Sequence, residues 1–172
     1  MIPLALESRL LRSLGVRHGF STRVGGVSAP PFATLNLAIT PGDDPAAVAE
    51  NRRRFAEAIG VDVARLFQTS QVHGSSVREI AGEDVVAEVV QEEHDAMVAR
   101  AAGLAIGVRV ADCVPVLLFD EASGHVAAAH AGWRGVAGGV VGAAVSQLCR
   151  WAPPRAVVAA IGPCIGPCCF DV

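Results

Sequence analysis

The sequence predicts an α/β fold, a sandwich built on mixed sheets, and three observations carry that expectation. Short β-rich runs dominate the chain after residue 65, most of them separated by hairpin-length gaps with Gly, Pro or acidic residues. Only two segments have long helical periodicity, too few to supply the crossovers of a doubly wound parallel sheet. At 172 residues, with 52% hydrophobic and 18% charged residues, the chain is expected to form one domain with a large buried core.

Residues 1 to 17 are apolar but unpatterned, and residues 18 to 42 are broken by Gly25-Gly26, Pro30-Pro31 and Pro41-Gly42, so this region should be loop-rich. A helix is predicted at about 45 to 59. Asp44 can cap it, Pro45 suits its first position, Val48, Phe55, Ala56 and Ile59 fall near one face, and Gly60 ends it. Strands are predicted at about 66 to 72, 76 to 80, 104 to 110, 114 to 119, 125 to 130 and 156 to 161, with a weaker one at 95 to 99. A second helix is expected at 135 to 150, where Val136, Val140, Val141, Ala144, Val145 and Leu148 recur at helical spacing. Its glycines 138, 139 and 142 each weaken it by roughly 1 kcal/mol relative to Ala, which points to close packing on a sheet.

Net charge is -3, and the one basic cluster, Arg52-Arg53-Arg54, reads as a solvated helix face, so a nucleic-acid surface is not expected. No apolar run reaches the roughly 18 to 20 residues that cross a bilayer, and the N-terminus has no leader pattern, so a cytoplasmic location is expected. Five cysteines form an odd set, better suited to thiols or metal ligation than to a disulfide scaffold.

Three short motifs stand out: Gln71-Val72-His73-Gly74, Ala111-Asp112-Cys113-Val114-Pro115 and His130-Ala131-Gly132-Trp133-Arg134-Gly135. Each holds one good zinc ligand at a strand end or a glycine turn. Two imidazoles and one thiolate would leave a fourth position open, as in catalytic zinc sites, whereas a structural site takes four protein ligands. Forty positions separate His73 from Cys113 and 17 separate Cys113 from His130, so no local ligand pair marks the site. His125 and His130 fall on one predicted strand five residues apart, hence on opposite faces, which makes His125 a poor co-ligand. His18 could line the pocket or simply be hydrogen-bonded, and His94 beside Glu92 and Glu93 reads as a solvated turn. Asp112 can orient a ligand imidazole, act as acid or base, or cap a turn. Arg134 precedes the glycine-rich helix, where its guanidinium and free backbone N–H groups would attract phosphate; the alternative is an Arg engaged by the surrounding fold. Phe20 and Trp133 can stack on a flat ring or belong to the core. Cys164, Cys168 and Cys169 do not have a standard ligand spacing and read as small residues of a tight loop.

Together with His18-Gly19-Phe20-Ser21-Thr22-Arg23-Val24-Gly25-Gly26-Val27-Ser28, Leu35-Asn36-Leu37 and Ile161-Gly162-Pro163-Cys164-Ile165-Gly166-Pro167, these motifs resemble the YfiH/YlmD family. That family was long labelled multicopper polyphenol oxidase or laccase-domain protein. The resemblance implies a layered α/β/β/α fold and a zinc-dependent purine nucleoside phosphorylase that also deaminates adenosine, acting on purine nucleosides such as adenosine, inosine, guanosine and methylthioadenosine, with phosphate. It implies zinc at His73, Cys113 and His130, with copper the alternative ion, and it places Asn36 and Arg52 at the site beside Asp112 and Arg134. Its departure is at Phe170-Asp171-Val172, where family members continue through a Cys-Thr pair and a Phe-Ser-Tyr-Arg-Arg-like motif, so residues 1 to 172 are expected to be a single domain lacking that segment. Missing core strands would leave exposed apolar surface and favour a partner chain.

Three rival classes remain open in the residues: a copper oxidase, a hydrolase using Cys113 as nucleophile with His73 or His130 as base, and a zinc module without turnover. A true multicopper oxidase, with a blue-copper centre and a trinuclear cluster, needs more than the five histidines present.

Overall fold

The structure is a computed structural model, and it describes residues 2–38, 42–150 and 156–171. The chain divides into two compact units, Met1–Val63 and Ala64–Val172.

In the first unit, β1 (Ala5–Leu6) pairs antiparallel with β2 (Phe20–Ser21), flanking the short helix α1 (Arg9–Ser13). The predicted helix forms as α2 (Pro45–Ile59). Asp44 accepts a hydrogen bond from the Ala46 N–H at 2.9 Å, Pro45 opens the first turn, and Gly60 ends it in the left-handed region at φ 72°. The loop-rich stretch before it is organised by Asn51, which is fully buried on α2. Its Nδ2 donates to Ser28 Oγ, the Thr34 carbonyl and the Asn36 carbonyl, and its Oδ1 accepts from the Val27 N–H.

A short 3-10 turn, Val63–Arg65, runs across the boundary in the chain, and the second unit contains β3 (Leu66–Phe67), β4 (Val77–Ile80), α3 (Val86–Val89), β5 (Ala96–Ala99), β6 (Ala105–Ile106), β7 (Val114–Asp120), β8 (Val126–Ala131), α4 (Trp133–Ala137), α5 (Val140–Leu148) and β9 (Val157–Ile161). Five strands form one mixed sheet in the order β4-β5-β8-β7-β9, in which β4 and β5 are parallel and the other pairs antiparallel. This is the α/β fold with mixed sheets that the sequence predicts. Alternation along β5 sends Ala96 and Val98 to one face, where they pack with Val116, Ala129 and Val140, Ala144 and Leu148 of α5. Met97 and Ala99 face the other way and pack with Phe67, Ile80 and Val89, alongside the two-stranded parallel ribbon β3–β6.

Three expectations change. The predicted strands at 66 to 72 and 104 to 110 shrink to two residues each, because only Leu66–Phe67 and Ala105–Ile106 find ladder partners. The predicted helix at 135 to 150 is two helices, since Gly139 takes φ 79°, a conformation that interrupts any right-handed helix. The weak strand at 95 to 99 is instead the most deeply buried: all four residues of β5 are buried because it is flanked by β4 and β8 and covered on both faces. Among the described residues, no helix is long and apolar enough to cross a membrane.

Candidate metal centre

Strand directions alone gather the motifs. β4, β5 and β7 run one way and β8 the other, so the residues just before β4, β5 and β7 and the last residues of β8 meet at one end of the sheet. His73 lies in the loop before β4, Asp95 immediately precedes β5, Cys113 immediately precedes β7, and His130 pairs with Pro115 near the end of β8. Separations of 40 and 17 residues in sequence thereby close to contact in space.

One ligand atom from each of His73, Cys113 and His130 lies within 4.8 Å of the others. Cys113 Sγ is 4.0 Å from His73 Nε2, and the two imidazoles meet edge to face with centroids 4.8 Å apart and planes at 79°. Ideal tetrahedral zinc bonds would place a sulfur and a nitrogen ligand about 3.5 Å apart, so Cys113 and His73 reach that spacing after a contraction of roughly half an ångström. Position 132 keeps the space between them open. A Cβ built on Gly132 would lie 2.9 Å from His73 Cδ2, 3.1 Å from Cys113 Sγ and 3.6 Å from His130 Cε1.

Access is graded across the trio: His130 is buried, Cys113 half-buried and His73 exposed. Such a site has a protein-facing back and a solvent-facing front. His130 Nδ1–H donates to Asp95 Oδ1 at 2.7 Å, which leaves Nε2 as its ligand atom. Asp95 is fully buried and also accepts the N–H groups of Val72, His73 and Gly74 at 3.1, 3.0 and 2.7 Å. Burial raises its carboxyl pKa, but the hydrogen bonds from His130, Gly74, Val72 and His73 outweigh that effect and hold it below the ordinary carboxylate value. Gln71 fastens the other side of the same loop, donating from Nε2 to the Arg109 carbonyl at 2.6 Å and accepting the Arg109 N–H at 2.7 Å.

Asp95 takes the imidazole-orienting part that the sequence offered to Asp112. Asp112 is exposed beside Cys113, and its backbone carbonyl accepts from the Ile165 N–H. The sequence mark of Asp95 is a lone carboxylate at the head of an otherwise apolar strand, a setting in which Asp usually caps a turn. Burial, followed by the charges of Asp112 and Asp95, pushes the Cys113 thiol up. A cysteine nucleophile requires the opposite shift, so the hydrolase alternative finds no support in these surroundings, while a bound cation would reverse the balance.

Arg134 is exposed, its guanidinium carbon 4.9 Å from the centroid of the half-exposed Trp133 ring, and among the described residues no carboxylate pairs with it. The long helix expected to aim its N-terminus at an anion is replaced by the five-residue α4. Asn36 and Arg52 belong to the first unit. Asn36 donates to Asp43 Oδ2 at 2.9 Å and accepts the Ala38 N–H at 3.1 Å; Arg52 donates from Nε and a terminal nitrogen to the Leu37 carbonyl at 3.2 and 2.9 Å.

The remaining histidines are not members of this cluster. His18 donates from Nδ1 to the Val16 carbonyl and accepts the Ser8 N–H at Nε2, His94 Nδ1 is 3.1 Å from Ser76 Oγ, and His125 precedes β8 at the end opposite His130. Cys168 and Cys169 are exposed, their sulfurs 3.3 Å apart.

Fold and site define a mixed α/β protein in which two imidazoles and one thiolate that could hold a metal ion gather at one sheet end. The chain belongs to the family described as multi-copper polyphenol oxidoreductase laccase, whose model matches residues 17–172, and within it to the YfiH/YlmD group that its motifs resemble. A purine nucleoside phosphorylase of Streptomyces coelicolor is 46% identical over 162 residues, covering 92% of this chain and 65% of the relative. The purine nucleoside phosphorylase YfiH of Escherichia coli is 42% identical over 158 residues, covering 92% and 62%. The crystal structure of YlmD from Geobacillus stearothermophilus superimposes with a TM-score of 0.78 at 37% identity, covering 88% of this chain and 59% of that one. The chain thus spans roughly three fifths to two thirds of the length of these relatives.

Proposed function

We propose that this chain carries a zinc-dependent purine nucleoside phosphorylase centre, with deamination of adenosine as a second activity and adenosine, inosine, guanosine and methylthioadenosine as candidate substrates. The observation that carries the reading is the meeting of His73, Cys113 and His130 within 4.8 Å, in a chain whose relatives are purine nucleoside phosphorylases. Two nitrogens and one sulfur suit zinc or a single copper, and five histidines in all are too few for a multicopper assembly. The odd set of free thiols favours a reducing, cytoplasmic setting.

When bound, zinc supplies Lewis acidity and brings the pKa of a coordinated water toward neutrality. The protein's own groups do the rest. Asp95 holds the His130 ring, and Gly132 keeps the space between the ligands clear. Arg134, with no carboxylate to neutralise it among the described residues, draws phosphate to the exposed front, and the exposed ring of Trp133 offers a stacking surface for a purine. Asp112 is the nominee for proton transfer, its exposed carboxylate oxygen receiving or returning the proton as the bond between base and ribose breaks. The engagement of Asn36 with Asp43 and of Arg52 with the Leu37 carbonyl favours scaffolding parts for both within the first unit.

The test is an assay of purified protein with inosine and adenosine, with and without phosphate, before and after chelation. Phosphate-dependent release of base and metal-dependent release of ammonia are the expected results. Oxygen consumption with phenols, and no base released from either nucleoside, would replace this reading with the oxidase.

A further inference from the structure

One carboxylate touches two of the three ligand positions. Asp95 Oδ1 accepts both the backbone N–H of His73, at 3.0 Å, and the ring Nδ1–H of His130, at 2.7 Å, while Oδ2 accepts the N–H groups of Val72 and Gly74 at 3.1 and 2.7 Å. The Asp95 backbone takes part as well, its carbonyl accepting the His130 N–H at 2.7 Å. His73 has φ 61°, and among the described residues it is the non-glycine residue in the left-handed region, where an imidazole-bearing backbone needs outside support. Three consecutive N–H groups converging on one buried carboxylate provide that support. A carboxylate that only capped the turn would leave the imidazole alone, and one that only oriented a ring would leave the turn alone. Asp95 does both through the same oxygen.

We infer that Asp95 is the positioning residue of the metal centre: it holds His73 in its left-handed backbone state and fixes the ring tautomer of His130, so that the two imidazoles are arranged before any ion arrives. The inference rests on the metal-binding part of the function proposed above, not on the reaction assigned to it. Asparagine at 95 cannot keep all of these contacts, because an amide has one accepting oxygen and one donating nitrogen, and that nitrogen would face N–H donors. It can serve the His73 and His130 side or the Val72 and Gly74 side, never both.

The experiment has two arms. In metal-free wild-type protein, imidazole 15N–1H correlation spectra report the His130 tautomer; the expected state carries the proton on Nδ1. Zinc affinity and the visible spectrum of the cobalt-substituted protein are then compared among wild type, Asp95→Asn, Asp95→Ala and the exposed-site control Glu83→Gln. A fall in zinc affinity of about 10- to 100-fold and an altered cobalt ligand field are expected in both Asp95 variants, with the control within twofold of wild type. An Nε2-protonated His130 in the wild type, or wild-type affinity and spectrum in a folded Asp95→Asn protein, would overturn the inference. Should Asp95→Ala fail to fold, the wild-type tautomer and the asparagine variant still decide. Failure of the wild type to bind zinc or cobalt would remove the proposed function, whereas the tautomer would still test Asp95.

Discussion

Gly132 and Cys113 face each other so closely that a single methyl group at position 132 would stand 3.1 Å from the sulfur, and 2.9 Å from a carbon of the His73 ring. Gly132 has φ -68°, which any residue adopts, so the demand for glycine there is spatial and not conformational. We expect Gly132→Ala to fold normally and to weaken zinc binding at least tenfold by displacing the exposed His73 ring. Isothermal titration with zinc, alongside a thermal unfolding curve, checks both halves of that statement.

Arg134 is the residue proposed to draw phosphate. Its guanidinium has no carboxylate partner among the described residues, so removing it should cost little stability. We expect Arg134→Met to raise the KM for phosphate by tenfold or more, with kcat at saturating phosphate changed far less, in steady-state kinetics with inosine.

In the first unit, Asn51 joins α2 to the Val27, Ser28, Thr34 and Asn36 segment through four hydrogen bonds from a fully buried side chain. Asn51→Ala leaves these groups without their partner, which should lower stability by about 2–3 kcal/mol. Urea denaturation measures the loss.

Glu50 supplies the acid-dependent contribution of α2. Hydrogen bonds from Arg53 and Arg54 bring its pKa from 4.5 to about 2. Because the folded value is the lower one, the stabilisation is fully present above about pH 4.5 and is lost as pH falls toward 2. The pairs are solvent-exposed, so the effect is small and weakens with salt. The difference in urea midpoint between wild type and Glu50→Gln should narrow from pH 6 to pH 3, and an NMR titration of the Glu50 carboxyl should give the depressed value directly.

Legibility in the sequence followed the range of the interactions involved. The first long helix was readable to the residue because Asp44, Pro45 and Gly60 act locally at its two ends. The break at Gly139 was not, since apolar spacing runs on from Val136 to Val140 and nothing in the periodicity records that the backbone turns left-handed between them. Leu104 to Val110 has the residues of a strand but pairs only at Ala105 and Ile106, as pairing depends on what lies beside the segment. At the site, His73, Cys113 and His130 were nominated by ligand chemistry and by resemblance to a family, not by spacing. Asp95 and Gly132 could not be weighed in the same way, because one acts through hydrogen bonds to residues 22, 23 and 35 positions away and the other through the space it leaves.

Two imidazoles and one thiolate of this chain are proposed to hold a single zinc ion with a position to spare. X-ray absorption at the zinc edge on stoichiometrically loaded protein tests that proposal most directly. The expected result is one zinc per chain with two nitrogen neighbours, one sulfur neighbour and a lighter exchangeable fourth, the sulfur shell vanishing in Cys113→Ala. A zinc shell without sulfur in the wild type, or one unchanged by Cys113→Ala, would contradict it.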